Sequence, residues 1–150
     1  MRNHENVDHL IDDTIGSMNG NSIDRDRLTQ EERNVVTWLC NDPLRSIKAE
    51  PVARYFLDMR QAFTEMYNVL VPGALAVVVS GKTSTFYQFS TREALYVVNC
   101  AEMLADEAQR VGFEVEALHD IQLVKSNANA RPRSLDDYYE TPIMLRKPAT

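Results

Sequence analysis

The chain has 150 residues, of which 44% are hydrophobic, so it is of one-domain size and long enough to bury a core. Sixteen basic residues oppose twenty-two acidic ones, a formal charge of −6, so the bulk surface repels nucleic acid and any contact with it must be local. Two isolated cysteines, Cys40 and Cys100, exclude a disulfide framework and a zinc site; His4, His9 and His119 have no metal partners at ligand spacing.

No apolar run approaches the roughly 20 residues that span a membrane, and the acidic N-terminus lacks a signal-peptide pattern. The expectation is a cytoplasmic protein with no membrane contact. Residues 1–50 hold six basic and ten acidic side chains and read as an acidic arm of helices and loops, with residues 51–150 as the α/β domain. Within the arm, Val7, Leu10, Ile11 and Ile15 fall at helical spacing, and Gly16 to Ser22 reads as a loop. Thr29-Gln30-Glu31-Glu32 is a capping box, in which hydroxyl and carboxylate each satisfy an otherwise unpaired N–H. It predicts a helix from Gln30 to about Asn41. Asp42-Pro43-Leu44 then stops it, because proline cannot continue the hydrogen-bond ladder.

Pro51 suits the start of the next helix. Val52, Tyr55, Phe56, Met59, Phe63, Met66, Tyr67 and Leu70 follow at steps of three and four, giving it one wide apolar stripe. A Pro72-Gly73 turn leads to Leu75-Ala76-Val77-Val78-Val79, apolar without alternation. That pattern predicts Ala74 to Ser80 as an interior strand covered by helices on both faces. Gly81-Lys82-Thr83 is not the end of a phosphate-binding loop, since that motif needs glycine where Ala76 stands and a loop where the chain has three valines. Ser90-Thr91-Arg92-Glu93 has the spacing of a second capping box. It predicts a helix that buries Ala94, Leu95, Val98, Ala101, Leu104, Ala105, Ala108 and Val111 and stops at Gly112. Phe113, Val115 and Ala117 alternate with glutamates as a strand that continues from Leu118 to Val124 after an irregularity near His119. Lys125 to Thr141 is a polar connection, and Pro142 to Lys147 the last strand.

Asn68-Val69-Leu70-Val71-Pro72-Gly73-Ala74 and the strand after it resemble the arginine-valine-leucine-lysine-proline-glycine-glycine turn of S-adenosylmethionine-dependent methyltransferases. The relatives it looks like are class I, restriction-modification-type enzymes that methylate the exocyclic amino group of adenine or cytosine in DNA. Asn68, Val71 and Ala74 stand where the motif has arginine, lysine and a second glycine. Ile15-Gly16-Ser17, Tyr55 to Glu65, Gly112-Phe113 and Glu140 to Lys147 extend the likeness in the order of the half that follows the catalytic motif. The Gly-rich cofactor motif and the Pro-Pro-Tyr catalytic tetrapeptide are missing from the sequence, so the resemblance assigns no catalytic residue, no cofactor-binding residue and no metal ligand.

The resemblance implies a fold class, α/β with a partial Rossmann-like sheet of about three strands, the last antiparallel, flanked by helices behind a helical arm. It implies S-adenosylmethionine in the complete enzyme and none bound by this chain alone, and it implies DNA as substrate. Lys82 and Thr83, after the first strand, and Lys125, Arg131, Arg133 and Tyr138, in the polar connection, are the positions it places beside a target base or phosphate. In such a sheet the catalytic-motif strand lies beside Ala74–Ser80, and this chain lacks it. A bare apolar edge is an aggregation hazard, so the expectation is a homodimer or a separate polypeptide carrying the cofactor half. The competing expectation is a catalytically silent interaction module.

Overall fold

The computed structural model describes residues 14–17, 23–122 and 139–149. The chain packs as two compact units, residues 1–62 and 63–150. No helix of the described residues is long and apolar enough to cross a membrane.

In the first unit a 3-10 turn, Arg25–Arg27, precedes helix α1, Gln30–Asn41, which begins at the capping box as expected. Glu32 N–H donates to Thr29 Oγ1 (3.2 Å) and Thr29 N–H donates to Glu32 Oε2 (2.7 Å). The same carboxylate lies 3.1 Å from the guanidinium of Arg60, in a site where the Glu32 side chain is only 2% exposed. The helix ends on the Asp-Pro turn. Desolvation raises the Asp42 carboxyl, but a hydrogen bond from Leu44 N–H and the paired Arg45 guanidinium together hold it below the usual carboxylate range. Val35, Val36 and Leu39 of α1 are buried, as are Leu28, Ala49, Ala53 and Phe56. Helix α2, Ala49–Val69, starts two residues before Pro51, which sits in its first turn, where an absent N–H costs nothing. The Val7–Ile15 helix expected from the sequence falls largely outside the described residues, and Ile15 lies in a turn.

The second unit opens with the last turns of α2. Gly73, at φ 79°, makes the turn into strand β1, Leu75–Gly81. There follow β2 (Ser84–Tyr87), β3 (Ala94–Val98), helix α3 (Cys100–Val111), β4 (Glu114–Leu118), the two-residue β5 (Ile121–Gln122) and β6 (Tyr139–Arg146). Strand β6 lies between β1 and β4 and is antiparallel to both, so β1 and β4 run parallel to each other. Helix α3 presents Ala101, Leu104, Ala105 and Ala108, all buried, at steps of three and four, and packs on β1, β4 and β6. Ile143 and Leu145 of β6 are fully buried. Gly112, at φ 121°, ends α3; a Cβ there would stand 3.3 Å from the Tyr67 ring, which meets Phe113 edge-on with centroids 5.1 Å apart.

Two expectations are corrected. The segment Ala94–Val98 is a strand paired with β2 as a hairpin separate from the main sheet, and the helix begins only at Cys100. Phe86, Tyr87, Tyr96, Val97 and Val98 are all strand formers. Thr91 is used differently too: its hydroxyl accepts from Glu93 N–H two residues on, a turn contact, and no helix starts there. Nor is β1 covered on both faces. Ala76 and Val78 are half-buried, but Leu75, Val77 and Val79 are 49%, 57% and 58% exposed, so the face they share is not covered as an interior strand's would be. Among the described residues β1 pairs only with β6.

Candidate functional site

Strands β1 and β4 point their C-terminal ends the same way, which is where open α/β sheets gather ligands. A cleft of about 190 Å³ lies at those ends. Lys82 and Thr83 enter it from the residues after β1, Asn99, Ala101 and Glu102 from the start of α3, Leu118 and Asp120 from the end of β4, and Thr141 from β6. The two candidate residues that follow the first strand are thus brought together.

Lys82 Nζ lies 2.6 Å from Asp120 Oδ2, and Thr141 Oγ1 donates to Asp120 Oδ1 at 2.8 Å. The Lys82 ammonium first, then the Thr141 hydroxyl, hold the Asp120 carboxyl below the usual carboxylate range. Thr141 is 1% exposed and therefore fixed, while Lys82 and Asp120 are each more than a third exposed. An exposed pair of this kind is held by geometry more than by energy. Thr83 Oγ1 is buried and has no hydrogen-bond partner among the described residues, a group that a bound polar ligand or a water would satisfy. Asn99 occupies the N-cap of α3, yet its side chain makes no capping bond, and Ala101 N–H turns instead to the Lys82 carbonyl at 3.3 Å. Burial pushes the neighbouring Cys100 thiol up, away from the reactive thiolate.

Arrayed here are a cation, two carboxylates, two hydroxyls and a primary amide. Asp120, Thr141, Asn99 and Glu102 were not singled out from the sequence. The available signal was Asp120 at the end of an alternating strand, beside His119. Lys125, Arg131, Arg133 and Tyr138 lie outside the described residues. The connection that carries them leaves after β5 and returns at β6, where Ile121 pairs with Glu140 and Gln122 with Tyr139, next to Asp120 and Thr141.

An antiparallel strand lodged between two parallel ones, with a helix packed on them and a polar cleft at the strand ends, makes a partial Rossmann-like sheet. Known proteins bear on it through structure alone. The fold matches the crystal structure of a protein from Thermus thermophilus, assigned as a DNA modification methylase and complexed with S-adenosyl-L-methionine. The TM-score is 0.51 at 19% identity, over 67% of this chain and 40% of that one. The selenomethionine form of the same protein gives 0.48 at 18% identity over 64% and 38%. No family model matches the sequence, and no curated protein does. The likeness is one of fold, and this chain spans two fifths of the methylase's length.

The cleft does not fit S-adenosylmethionine. Its 190 Å³ falls short of the roughly 300–1,000 Å³ that takes a ligand of that size. It also lacks a Gly-rich loop, the sequence feature that brings backbone amides close to a nucleotide-like cofactor.

Proposed function

We propose that this chain supplies the C-terminal, target-side part of a DNA methyltransferase that modifies the exocyclic amino group of adenine or cytosine. In this reading residues 1–50 are an arm and residues 51–150 half of the catalytic domain. The observation that carries it is β6 lodged antiparallel between β1 and β4 with a polar cleft at the strand ends, in a fold that matches part of a DNA modification methylase. The chain contributes scaffold, the Lys82–Asp120–Thr141 cluster and the connection bearing Lys125, Arg131, Arg133 and Tyr138, and it is inactive alone. S-adenosylmethionine is held by a complementary cofactor-bearing polypeptide in the cytoplasm, which also covers the open edge of β1.

A second reading is favoured by the exposure of Leu75, Val77 and Val79: a catalytically silent module that uses the bare strand to dimerise or to engage a partner. Calorimetry with S-adenosylmethionine, on chain of known mass in solution, separates the possibilities when combined with DNA binding. The expected result is no heat with the cofactor and measurable retardation of duplex DNA. Cofactor binding by the chain alone would refute the half-domain assignment. Absence of both activities, in a folded dimer, would favour the silent module.

A further inference from the structure

The hairpin β2–β3 grows directly out of the cleft. Thr83 lines the cleft and Ser84 opens β2; Val98 closes β3 and Asn99 lines the cleft again. Four residues of strand at about 3.3 Å each place the tip on the order of 13 Å from the cleft floor.

The tip is tied rather than loose. Gln88 N–H donates to the Glu93 carbonyl at 2.8 Å and Arg92 N–H donates to the Gln88 carbonyl at 3.0 Å. The Thr91 hydroxyl donates to Glu93 Oε2 at 3.1 Å. Arg92 closes the loop at φ 64°, a conformation that costs a non-glycine residue energy and that marks a site worth a functional explanation. The loop so held projects Phe89, which is 66% exposed. Its sequence neighbours Gln88, Ser90 and Arg92 are exposed as well and carry side chains able to donate to phosphate oxygens. A large apolar group on a braced tip, with such donors beside it in the sequence and one hairpin-length from a polar cleft, matches the design of a side chain that enters a base stack.

We propose that Phe89 is a wedge that enters duplex DNA where a base has been drawn out toward the cleft, with Arg92 and the neighbouring hydroxyls on the flanking phosphates. The partner is thus double-stranded DNA, gripped at the gap left by an unstacked nucleotide. The inference rests on the DNA reading given above and adds to it the element that occupies the vacated space. Opening the stack costs least where a base is already absent. A wedge therefore favours a duplex with an abasic site over an intact duplex of the same sequence.

The test uses the full 150-residue chain and two labelled duplexes, intact and with one central abasic site, in low salt, read by fluorescence anisotropy. The expected preference for the abasic duplex is about tenfold or more, the range that one base–aromatic stack implies. Phe89→Ala abolishes the preference. Phe89→Trp keeps it and adds an indole at the tip, whose fluorescence, read over that of Trp38, is quenched by the abasic duplex. Far-UV spectra of both variants establish that they fold. Equal affinity of the parent chain for the two duplexes, or a preference that survives in Phe89→Ala, overturns the proposal while leaving the DNA reading standing. Failure to bind either duplex overturns both.

Discussion

Lys147 sits where α2 ends, and replacing it with methionine keeps its hydrophobic stem while deleting its ammonium. Nζ donates to the Tyr67 carbonyl at 2.7 Å and the Leu70 carbonyl at 2.8 Å, both left without helical partners at a C-terminus, and lies 4.6 Å from the centre of the Tyr67 ring. Hydrogen bonds to a charged group contribute about 1.5–3 kcal/mol each, and the cation over the ring adds about 0.5–1 kcal/mol. The freed carbonyls are only part-buried and regain water, so the terms do not add fully. A net loss of about 2–3 kcal/mol is expected, a large share of the roughly 5–15 kcal/mol that holds a domain folded. Because the chain has two compact units, the reporter should belong to the second. Hydrogen exchange of the Gly112 and Phe113 amides, beside Tyr67, is suited to this, with chemical denaturation as the global check. Lys147→Arg, which keeps the charge, should recover part of the loss. A change below about 0.5 kcal/mol, within the range of an ordinary surface substitution, would show that the ammonium does not cap the helix.

Glu32→Ala removes a carboxylate that serves both the capping box and Arg60, leaving a guanidinium partly buried; a loss of about 3–5 kcal/mol is expected in urea denaturation followed by the fluorescence of Trp38 in α1. Asp120 has a depressed folded-state pKa, so its interactions favour the fold above the ordinary carboxylate pKa and fade as pH falls through the lowered value. In a carboxyl NMR titration Lys82→Met should move Asp120 up further than Thr141→Val does, and the reverse order would contradict the leading role of the ammonium. Arg92→Gly relieves the left-handed backbone and should stabilise the chain by about 0.5–1 kcal/mol in a thermal melt; an unchanged or lower midpoint would show that the backbone there is not strained. Val77→Lys places a charge on the open face of β1, and should lower binding of a hydrophobic dye while changing stability by less than about 1 kcal/mol; a larger loss would mean that the face is covered.

Much of this fold could be read from spacing because the determining interactions are local. The Thr29–Glu32 box fixed the start of α1, the apolar stripe from Val52 to Leu70 marked α2, and Gly112 marked the end of α3. The hairpin was misread because two periodicities coincide: Ala94, Leu95, Val98 and Ala101 fall at helical steps even though Tyr96-Val97-Val98 prefer a strand. What decides is the cross-strand partner, Phe86 opposite Tyr96 and Thr85 opposite Val97, which no local pattern contains. The cleft escaped for the same reason. Lys82 meets Asp120 across 38 residues and Thr141 meets Asp120 across 21, so the sequence named Lys82 and Thr83 but not the groups that give them a setting.

The order of the strands has a consequence for how the chain must be made. β6 is the strand that β1 and β4 both pair with, and of the described strands of the sheet it is the last to emerge during synthesis. Until Tyr139–Arg146 arrive, neither of the others has its partner in the main sheet, and the apolar run of β1 waits in water. The sheet therefore cannot grow strand by strand from the N-terminal side. It closes in one late event, with the non-local pairing that slows folding and lengthens exposure to association with other chains. Losing β6 to a premature stop would remove the common partner of β1 and β4, not an edge.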